Sequence, residues 1–299
     1  MSSTTVSPDF HVSPELEDRL VKSVGQLQVL SSVAQEALSA ARDPNCTIQQ
    51  FSSLVERDVK LATDLLTIAN SAAFSAGRSV STLRDAVVRL GFRQCRNLIL
   101  SSSLASLMTK LSIQEEWVRV ALGRHAYLTA NLAAQANRVL GLGLQGEEFV
   151  AGLIHDIGRN LLSVLDQSKF SQVDRLSFLE SEETPTAETK ICGTNHCDIG
   201  AWFSRHNDLP EEFTEVIRFH HTPKQATFSS PLVALIAIAD DMSNHLQRTS
   251  SPLEYEFECK EAIDIIVEHG SSTAPVLLQQ AAEQMLLDAM TSIEQTAIS

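Results

Sequence analysis

The sequence predicts an all-α protein, and three observations lead to this prediction. Apolar residues recur at intervals of three and four positions over long stretches, which is the spacing of one face of an α-helix. Only 5% of the residues are aromatic, so the core has to rely on Leu, Ile, Val and Ala, a balance that suits helices. Runs that alternate between apolar and polar residues, which are typical of β-strands, are not found.

The N-terminal part of the chain reads as a series of short amphipathic helices. Residues 1–14 are rich in Ser and Thr, and we expect them to form a disordered leader. Further along, Thr47 and Gln50 have the spacing of a capping box in front of an apolar helical run. Gly91 is expected to end a later helix, because glycine readily adopts the left-handed backbone found at helix ends. We assign residues 15–112 to an N-terminal helical bundle.

Longer helices and most of the histidines follow in the second part of the chain. A helix is predicted over residues 117–140, and another is predicted to carry the adjacent pair His155 and Asp156 beside an apolar stripe. We assign residues 113–249 to a second helical domain. Residues 250–299 are assigned to a C-terminal helical tail, in which we identify no residues that indicate a chemistry.

Charge and composition exclude several classes of protein. The formal net charge is −14, from 23 basic and 37 acidic residues, which argues against binding to bulk nucleic acid. The longest apolar run, residues 232–239, is far shorter than the roughly 20 residues that a membrane span needs. The cysteines, Cys192 and Cys197 among them, are scattered and odd in number, so they predict free thiols rather than a zinc knuckle. We therefore expect a cytoplasmic protein without a membrane partner.

Imidazole and carboxylate side chains lie beside apolar residues on several of the predicted helices. Each could be a hydrogen-bonded core residue by itself, and Asp240 could lie at the polar end of an apolar helix over residues 231–245. Alternatively, the side chains converge in the helical core and hold a divalent metal ion. With few thiolates the site would be hard, and its ligand types suit Fe, Mn, Ni or Zn. The candidate metal ligands are His125, His155, Asp156, His196, His220, His221 and Asp240.

Three arginines, Arg89, Arg93 and Arg96, recur at helical spacing, although Gly91 interrupts the helix between the first two. Such a stripe could bind a nucleotide, another small anion or an acidic partner surface. It could equally be a solvated surface with scattered ion pairs, and we favour this second interpretation.

The chain from residue 27 to residue 245 resembles the HDOD family, the HD-related output domain of bacterial signalling proteins. His125, the pair His155-Asp156 and Asp240 match the H…HD…D pattern of HD-domain phosphohydrolases. The resemblance implies an all-α fold in which an N-terminal helical bundle packs against an HD-type helical domain. The HDOD motifs are Ile68-Ala69-Asn70-Ser71-Ala72, Ala86-Val87-Val88-Arg89-Leu90-Gly91, the stretch from Ala151 to Gly158, the stretch from Asn195 to Ala201, and Leu209-Pro210 leading to His220-His221.

The sequence differs from the enzymes of this superfamily at positions that matter for catalytic activity. The related HD-GYP proteins hydrolyse cyclic di-GMP and carry a stretch with Gly and Tyr after the paired histidines. Here His220-His221 is followed by Thr222-Pro223-Lys224-Gln225, which argues against that activity. Arg159 stands where a Lys often follows the HD motif, and it differs from Lys as a phosphate contact. His155, Asp156 and Arg159 are candidates for a catalytic role, and none is assigned one.

The resemblance leads to a first hypothesis and two alternatives. The first is a non-catalytic signalling module that binds a protein partner or a regulatory ligand, with or without metal in the HD-type site. The second is a metal-dependent phosphohydrolase that acts on a nucleotide or cyclic nucleotide. The third is a receptor whose HD cavity binds an anionic small ligand without turnover. With metal, one ion would lie among His125, His155, Asp156 and Asp240, and a second among His196, His220 and His221, with Asp156 bridging the two ions.

Overall fold

All regular structure in the computed structural model is helical. The structure describes residues 10, 12–24, 30–71, 74, 77–174, 176–179, 183–270 and 272–297. Across these ranges we find helices and no β-strand, which confirms the all-α prediction. In the same ranges, no helix is both long enough and apolar enough to span a bilayer. The greater part of the predicted leader, residues 1–9 and 11, lies outside the described residues, as does Ala72 of the first motif.

The described residues of the N-terminal part form short helices and one long, kinked helix. The Thr47 hydroxyl accepts a hydrogen bond from the Gln50 amide, and the Gln50 side chain accepts one from the Thr47 amide at 2.9 Å, so the predicted capping box is confirmed. Gly91 has φ +77° and interrupts the helical backbone where the sequence predicted a helix end. The helices are α1 (Pro14–Val24), α2 (Ser32–Arg42), α3 (Ile48–Val55), α4 (Val59–Ala69) and α5 (Leu83–Lys110).

The second part of the chain contains the longer helices and a short 3₁₀ turn, Pro223–Gln225. Two of its helices, over residues 167–173 and 184–192, were not predicted, because their sequences are polar and carry little apolar periodicity. The helices are α6 (Glu116–Leu140), α7 (Glu147–Ile154), α8 (Ile157–Leu165), α9 (Gln167–Val173), α10 (Thr184–Cys192), α11 (His196–His206), α12 (Glu211–Phe219), α13 (Ser230–Thr249), α14 (Lys260–Glu268) and α15 (Ala274–Ala297).

Helix α6 lies at the centre of the second part and packs against α7, α13 and α15. Helix α11 packs against α8 and α12, so the helices that carry the HDOD motifs form one continuous core. The packing of α5 against α7 and of α1 against α8 joins this core to the N-terminal part. The proposed division of the chain near residue 112 stays a prediction.

The arginine stripe belongs to the contact between these two parts. Arg93 pairs with Glu147, and Arg96 lies 3.3 Å from Glu147 and 3.4 Å from Glu212. Arg89, on the other side of the Gly91 kink, donates to the carbonyl of Ala69 at the end of α4 and to the carbonyl of Arg78 in the loop that follows. The arginines therefore form ion pairs and hydrogen bonds within the protein, as the favoured interpretation expected, but the pairs of Arg96 are partly buried and not part of a solvated surface.

The His155-Asp156 pair lies between two helices, whereas the sequence predicted a single helix through it. Helix α7 ends at Ile154 and α8 begins at Ile157, and Asp156 has φ −103° and ψ 19°. The apolar stripe misled the prediction because it continues on both sides of the break. In one regular helix, neighbouring side chains point about 100° apart. The break allows both side chains to point into the same space.

Candidate metal centre

All the candidate metal ligands of the second part meet in one cluster. They come from the middle of α6 and α13, the junction of α7 and α8, the start of α11 and the end of α12. Asp240 lies inside α13 and not at its end as predicted, because this helix continues to Thr249. The structure brings together His125, His155, Asp156, His196, His220, His221 and Asp240, whose ligand atoms form overlapping groups within 4.8 Å.

The first half of the cluster is built from nitrogen and oxygen atoms. His125 Nε2 lies 2.9 Å from Asp240 Oδ1, 3.2 Å from His155 Nε2 and 3.4 Å from Asp156 Oδ2. His155 Nε2 lies 3.5 Å from Asp240 Oδ1 and 3.6 Å from Asp156 Oδ2. Two imidazoles and two carboxylates thus converge on one point from three elements of the fold.

The second half of the cluster uses the other oxygen of Asp156. Asp156 Oδ1 lies 3.5 Å from His220 Nε2 and 3.6 Å from His196 Nε2. His196 Nε2 is also 3.0 Å from His221 Nε2. Because its two oxygens face different groups of imidazoles, Asp156 would contribute an oxygen to an ion in either half of the cluster.

The Nδ1 atoms of the imidazoles fix which nitrogen faces the cluster. His155 and His220 each place Nδ1 against a backbone carbonyl of the preceding turn, at 2.8 and 3.1 Å. His196 places Nδ1 2.7 Å from the Glu188 carboxylate. An Nδ1–H that donates to these oxygens leaves a lone pair on Nε2 of the neutral ring. The lone pairs then face carboxylate oxygens, and this arrangement is stabilised by a metal ion or by a proton on the imidazole.

Two buried polar atoms of the cluster lack a hydrogen-bond partner among the described residues. Asp156 Oδ1 and His220 Nε2 have no hydrogen-bond partner there, although their residues are only 4% and 2% exposed. Buried polar groups without partners are costly and rare in proteins. A divalent metal ion between these two atoms would satisfy both of them, and histidine whose other nitrogen is held by a carbonyl or carboxylate is the usual metal ligand. The residues present therefore fit a metal.

The pKa shifts of the cluster residues also agree with a site for positive charge. Burial by itself would lower the pKa of His155, but Asp156 and Asp240 beside it raise this pKa to about 9. Burial would raise the pKa of Asp240, but His125 and His155 hold it well below its usual range. Burial lowers the pKa of His220, and the neighbouring imidazoles lower it further. Without metal, the positive charge that the carboxylates require is supplied by protons on the imidazoles.

Arg159 contacts the cluster through the carboxylate of Asp156. It is 2% exposed, its Nη1 donates to Asp156 Oδ2 at 2.9 Å, and its Nε donates to Asp174 Oδ2 at 2.8 Å. Its guanidinium also lies over the ring of Phe178, with 5.8 Å between the guanidinium carbon and the ring centroid. Arg159, a catalytic candidate from the sequence, therefore orients Asp156 as a positioning residue.

Two residues of the site were missed by the sequence analysis. Glu188 lies on α10, within a region whose polar sequence gave no sign of a helix, and its carboxylate holds His196. Cys197 Sγ lies 3.3 Å from His196 Nε2, whereas its scattered position among the cysteines had indicated a free core thiol. The signal that could have found Cys197 is its place directly after a candidate ligand in the first turn of a helix.

Close packing at one glycine positions the start of α11. A Cβ atom on Gly158 would lie 1.9 Å from the carbonyl oxygen of His196. Only glycine therefore allows α8 to approach the first turn of α11 so closely. This approach places His196 next to Asp156, which precedes α8 by one residue.

A cavity of about 330 Å³ reaches the cluster at His220, His221 and Asp240. Its outer wall is the segment over residues 258–262, which precedes and begins α14. The hydroxyl of Tyr255 donates to Asp241 and fixes this segment against α13. The remaining lining residues are Pro223, Ala237, Asp241 and Asn244.

Comparison with known proteins identifies the family. The family model described as HDOD domain matches residues 27–223. An uncharacterised protein from Treponema pallidum is 25% identical over 228 residues, which are 76% of this chain and 44% of that protein. The chain thus spans less than half the length of this curated relative.

Solved structures share the fold. An HDOD domain protein with unknown function from Geobacter sulfurreducens is 22% identical, with a TM-score of 0.65 over 92% of this chain and 98% of that one. A candidate phosphohydrolase from Shewanella amazonensis is also 22% identical, with a TM-score of 0.63 over 90% of this chain and 96% of that one. Both likenesses concern the fold alone. The HDOD family model covers more than half of this chain, and the chain therefore belongs to the HDOD domain family.

Proposed function

We propose that this protein is a cytoplasmic regulatory module of bacterial signal transduction that binds metal in its HD-type site and does not turn over a substrate. It acts by binding a signalling protein or a small regulatory ligand. The observation that carries the non-catalytic part of the proposal is the charge of the cavity beside the cluster. The unpartnered Asp156 Oδ1 and His220 Nε2 support the metal.

Acidic side chains predominate in that cavity. Among its described lining residues, Asp241, Glu258 and Glu261 add to the charge of Asp240, and Lys260 is the one basic residue. Lys224, near the rim, pairs with Glu261 at 2.8 Å. Enzymes that transfer phosphoryl groups place Arg, Lys or metal ions where phosphate charge develops. A polyanionic nucleotide would meet carboxylates here, which favours a binding module over a hydrolase.

The metal has a structural role in this proposal. The ligands come from α6, the α7–α8 junction, α11, α12 and α13, so bound ions would hold five parts of the helical core together. Any ligand that binds only the folded state stabilises it in proportion to its occupancy. Occupancy of the site would thereby set the stability of the core that a signalling partner recognises.

A metal-dependent phosphohydrolase is the second candidate, and a specific observation favours it. The cavity reaches ligand residues on both sides of the bridging Asp156, namely Asp240 and the pair His220-His221. A bound divalent ion there would supply water of lowered pKa and polarise a phosphoryl oxygen. The name of the Shewanella amazonensis protein agrees with this candidate.

One experiment separates the candidates. Protein purified without chelator is analysed for Fe, Mn, Ni and Zn, and is then assayed with a generic phosphodiester and a panel of cyclic nucleotides. We expect bound metal, a lower melting temperature after chelation, and no turnover. The variant His155→Ala should lose metal, whereas His206→Ala, at an exposed histidine outside the cluster, should retain it.

Turnover that rises with metal content and disappears in Asp156→Ala would replace this proposal with the phosphohydrolase. Absence of metal binding, even after loading with each of the four ions, would reduce the cluster to a hydrogen-bonded core. In that case the metal part of the proposal is wrong.

A further inference from the structure

We infer that Cys197 is a thiolate ligand of the second ion, so that the two halves of the metal centre have different chemistry. This inference rests on the proposed metal binding. It assigns sulfur to a site that His/Asp motifs describe as purely nitrogen and oxygen, and it predicts which metal each half prefers.

The ligand atoms around Cys197 are grouped closely enough to share one metal ion. Its Sγ lies 3.3 Å from His196 Nε2, and the ligand atoms of Cys197, His196, His220 and His221 all lie within 4.8 Å of one another. Tetrahedral zinc sites with bonds of about 2.0–2.3 Å place their ligand atoms roughly 3.3–3.8 Å apart. The 4.8 Å limit for this group exceeds that range, so side-chain rotations would bring the four ligand atoms to coordination distance.

A second observation locates an ion on the same side. His220 Nε2 lies in a residue that is 2% exposed, and it has no hydrogen-bond partner among the described residues. His196 places its Nδ1 2.7 Å from the buried carboxylate of Glu188, the carboxylate–histidine arrangement typical of metal ligands. Cys197 itself is 6% exposed, so its sulfur faces these imidazoles and not solvent.

Local structure explains why both residues point into the cluster. Asn195 caps α11 by accepting a hydrogen bond from the Asp198 amide at 2.8 Å, so His196 and Cys197 occupy the first turn of this helix. The carbonyl of His196 rests against Gly158, so the first turn of α11 is in direct contact with α8. The helix start thereby presents an imidazole and a thiol side by side.

Coordination of the metal by Cys197 involves no change of oxidation state. The thiol loses its proton to solvent as the sulfur–metal bond forms, since a coordinating thiol is deprotonated outright. A site of nitrogen and sulfur selects Zn or Fe, whereas the half built from His125, His155 and Asp240 suits harder ions such as Mn. Asp156 would bridge the unlike ions.

Cobalt spectroscopy tests this assignment directly. Metal-free protein is titrated with Co²⁺, which gives a sulfur-to-cobalt charge-transfer band in the near ultraviolet only when a thiolate binds. We expect the band in the wild type, its loss in Cys197→Ser, and its retention in Cys46→Ser, a matched change of a half-buried thiol in the N-terminal part. Circular dichroism establishes that each variant is folded.

The outcomes separate this inference from the proposed function. Cobalt that binds to wild-type protein without the band, or with a band that persists in Cys197→Ser, overturns the inference and leaves metal binding intact. Failure of the wild type to bind cobalt overturns both. If the inference holds, Cys197→Ser should also weaken zinc binding at one site by about tenfold or more and leave manganese binding within a few-fold of wild type.

Discussion

Asp156 is the residue on which both halves of the cluster depend. Its Oδ2 accepts from Arg159 and lies near His125 and His155, while its Oδ1 faces His196. The isosteric change Asp156→Asn keeps the shape and removes the charge, so we expect loss of metal from both half-sites. It also leaves Arg159 buried with one carboxylate partner fewer, and breaking such a pair costs about 3–5 kcal/mol.

Metal content and urea unfolding measure these two effects. The matched change is Asp174→Asn, which removes a second acidic partner of Arg159 without touching the cluster. That variant should be destabilised but should keep its metal. If Asp156→Asn retained full metal content, Asp156 would not be the bridge.

His155 gives a pH dependence with a definite sign. Its pKa in the folded protein is about 9, above the roughly 6.5 of an unfolded chain, because Asp156 and Asp240 outweigh burial. The stabilisation is therefore complete below about pH 6.5 and is lost as pH rises through 9. Metal-free protein should lose up to about 1.4 kcal/mol per pH unit within this window from this residue alone.

Urea unfolding of chelated protein between about pH 7 and pH 10 checks the slope. Buried thiols contribute in the same direction, because burial raises the pKa of Cys95 to about 12. The comparison is therefore with His155→Gln, which keeps every thiol. Equal slopes in the two proteins would show that the pKa of His155 is not raised in the folded protein.

At the scale of elements, Gly158 determines the distance between α8 and α11. A methyl group there would clash with the carbonyl of His196, so Gly158→Ala should shift the first turn of α11. Overpacking of this kind costs about 1–3 kcal/mol. The displaced His196 should also weaken metal binding in the second half-site, measured by competition with a chromophoric chelator.

Gly123 on α6 offers the control, because a Cβ atom there meets nothing within 4 Å. Gly123→Ala should be neutral or stabilising, since alanine is the better helix former. A stable Gly158→Ala protein with normal metal affinity would contradict the role given to this contact.

Local signals in the sequence predicted some elements well and others poorly. The Thr47 capping box, the Gly91 break and the helix that ends at Gly141 follow from short-range chemistry. Helix α10 could not be predicted, because only its packing against α9 and α11 stabilises a polar sequence. The break at Asp156 was hidden by an apolar stripe that serves two helices. Glu188 was not predicted as a site residue, because the helix that carries it was not predicted.

On the scale of the whole molecule, the site depends on contacts between distant helices, which spacing along the chain does not encode. The seven candidate ligands were selected by residue type and family resemblance, and their convergence is a property of the packing among α6, α7, α8, α11, α12 and α13. The position of Cys197 directly after His196 is a weak sequence signal, and its capacity for a ligand role becomes clear from the coordinates, which place its Sγ 3.3 Å from His196 Nε2.

The two parts of the chain are joined by a partly buried ion-pair group, and its removal should loosen the whole molecule. Glu147 is 4% exposed, accepts from the Gln145 amide at 2.8 Å, and pairs with Arg93 and Arg96. Burial would raise its pKa, but Arg93 and the backbone amides lower it, so the carboxylate is charged at neutral pH. Glu147→Gln should cost about 1–3 kcal/mol in urea unfolding, because the hydrogen bonds it weakens involve charged groups.

Glu36→Gln is the matched change, since Glu36 pairs with Arg57 on the surface, with side chains 46% and 52% exposed. Such a pair contributes between nothing and about 1 kcal/mol. Metal content should be unchanged in both variants, because neither carboxylate belongs to the cluster. A Glu147→Gln protein as stable as Glu36→Gln would mean that apolar packing between α5 and α7 joins the two parts without help from charge. Loss of metal in Glu147→Gln alone would mean instead that the N-terminal contact is coupled to the site through α7, whose other end precedes His155.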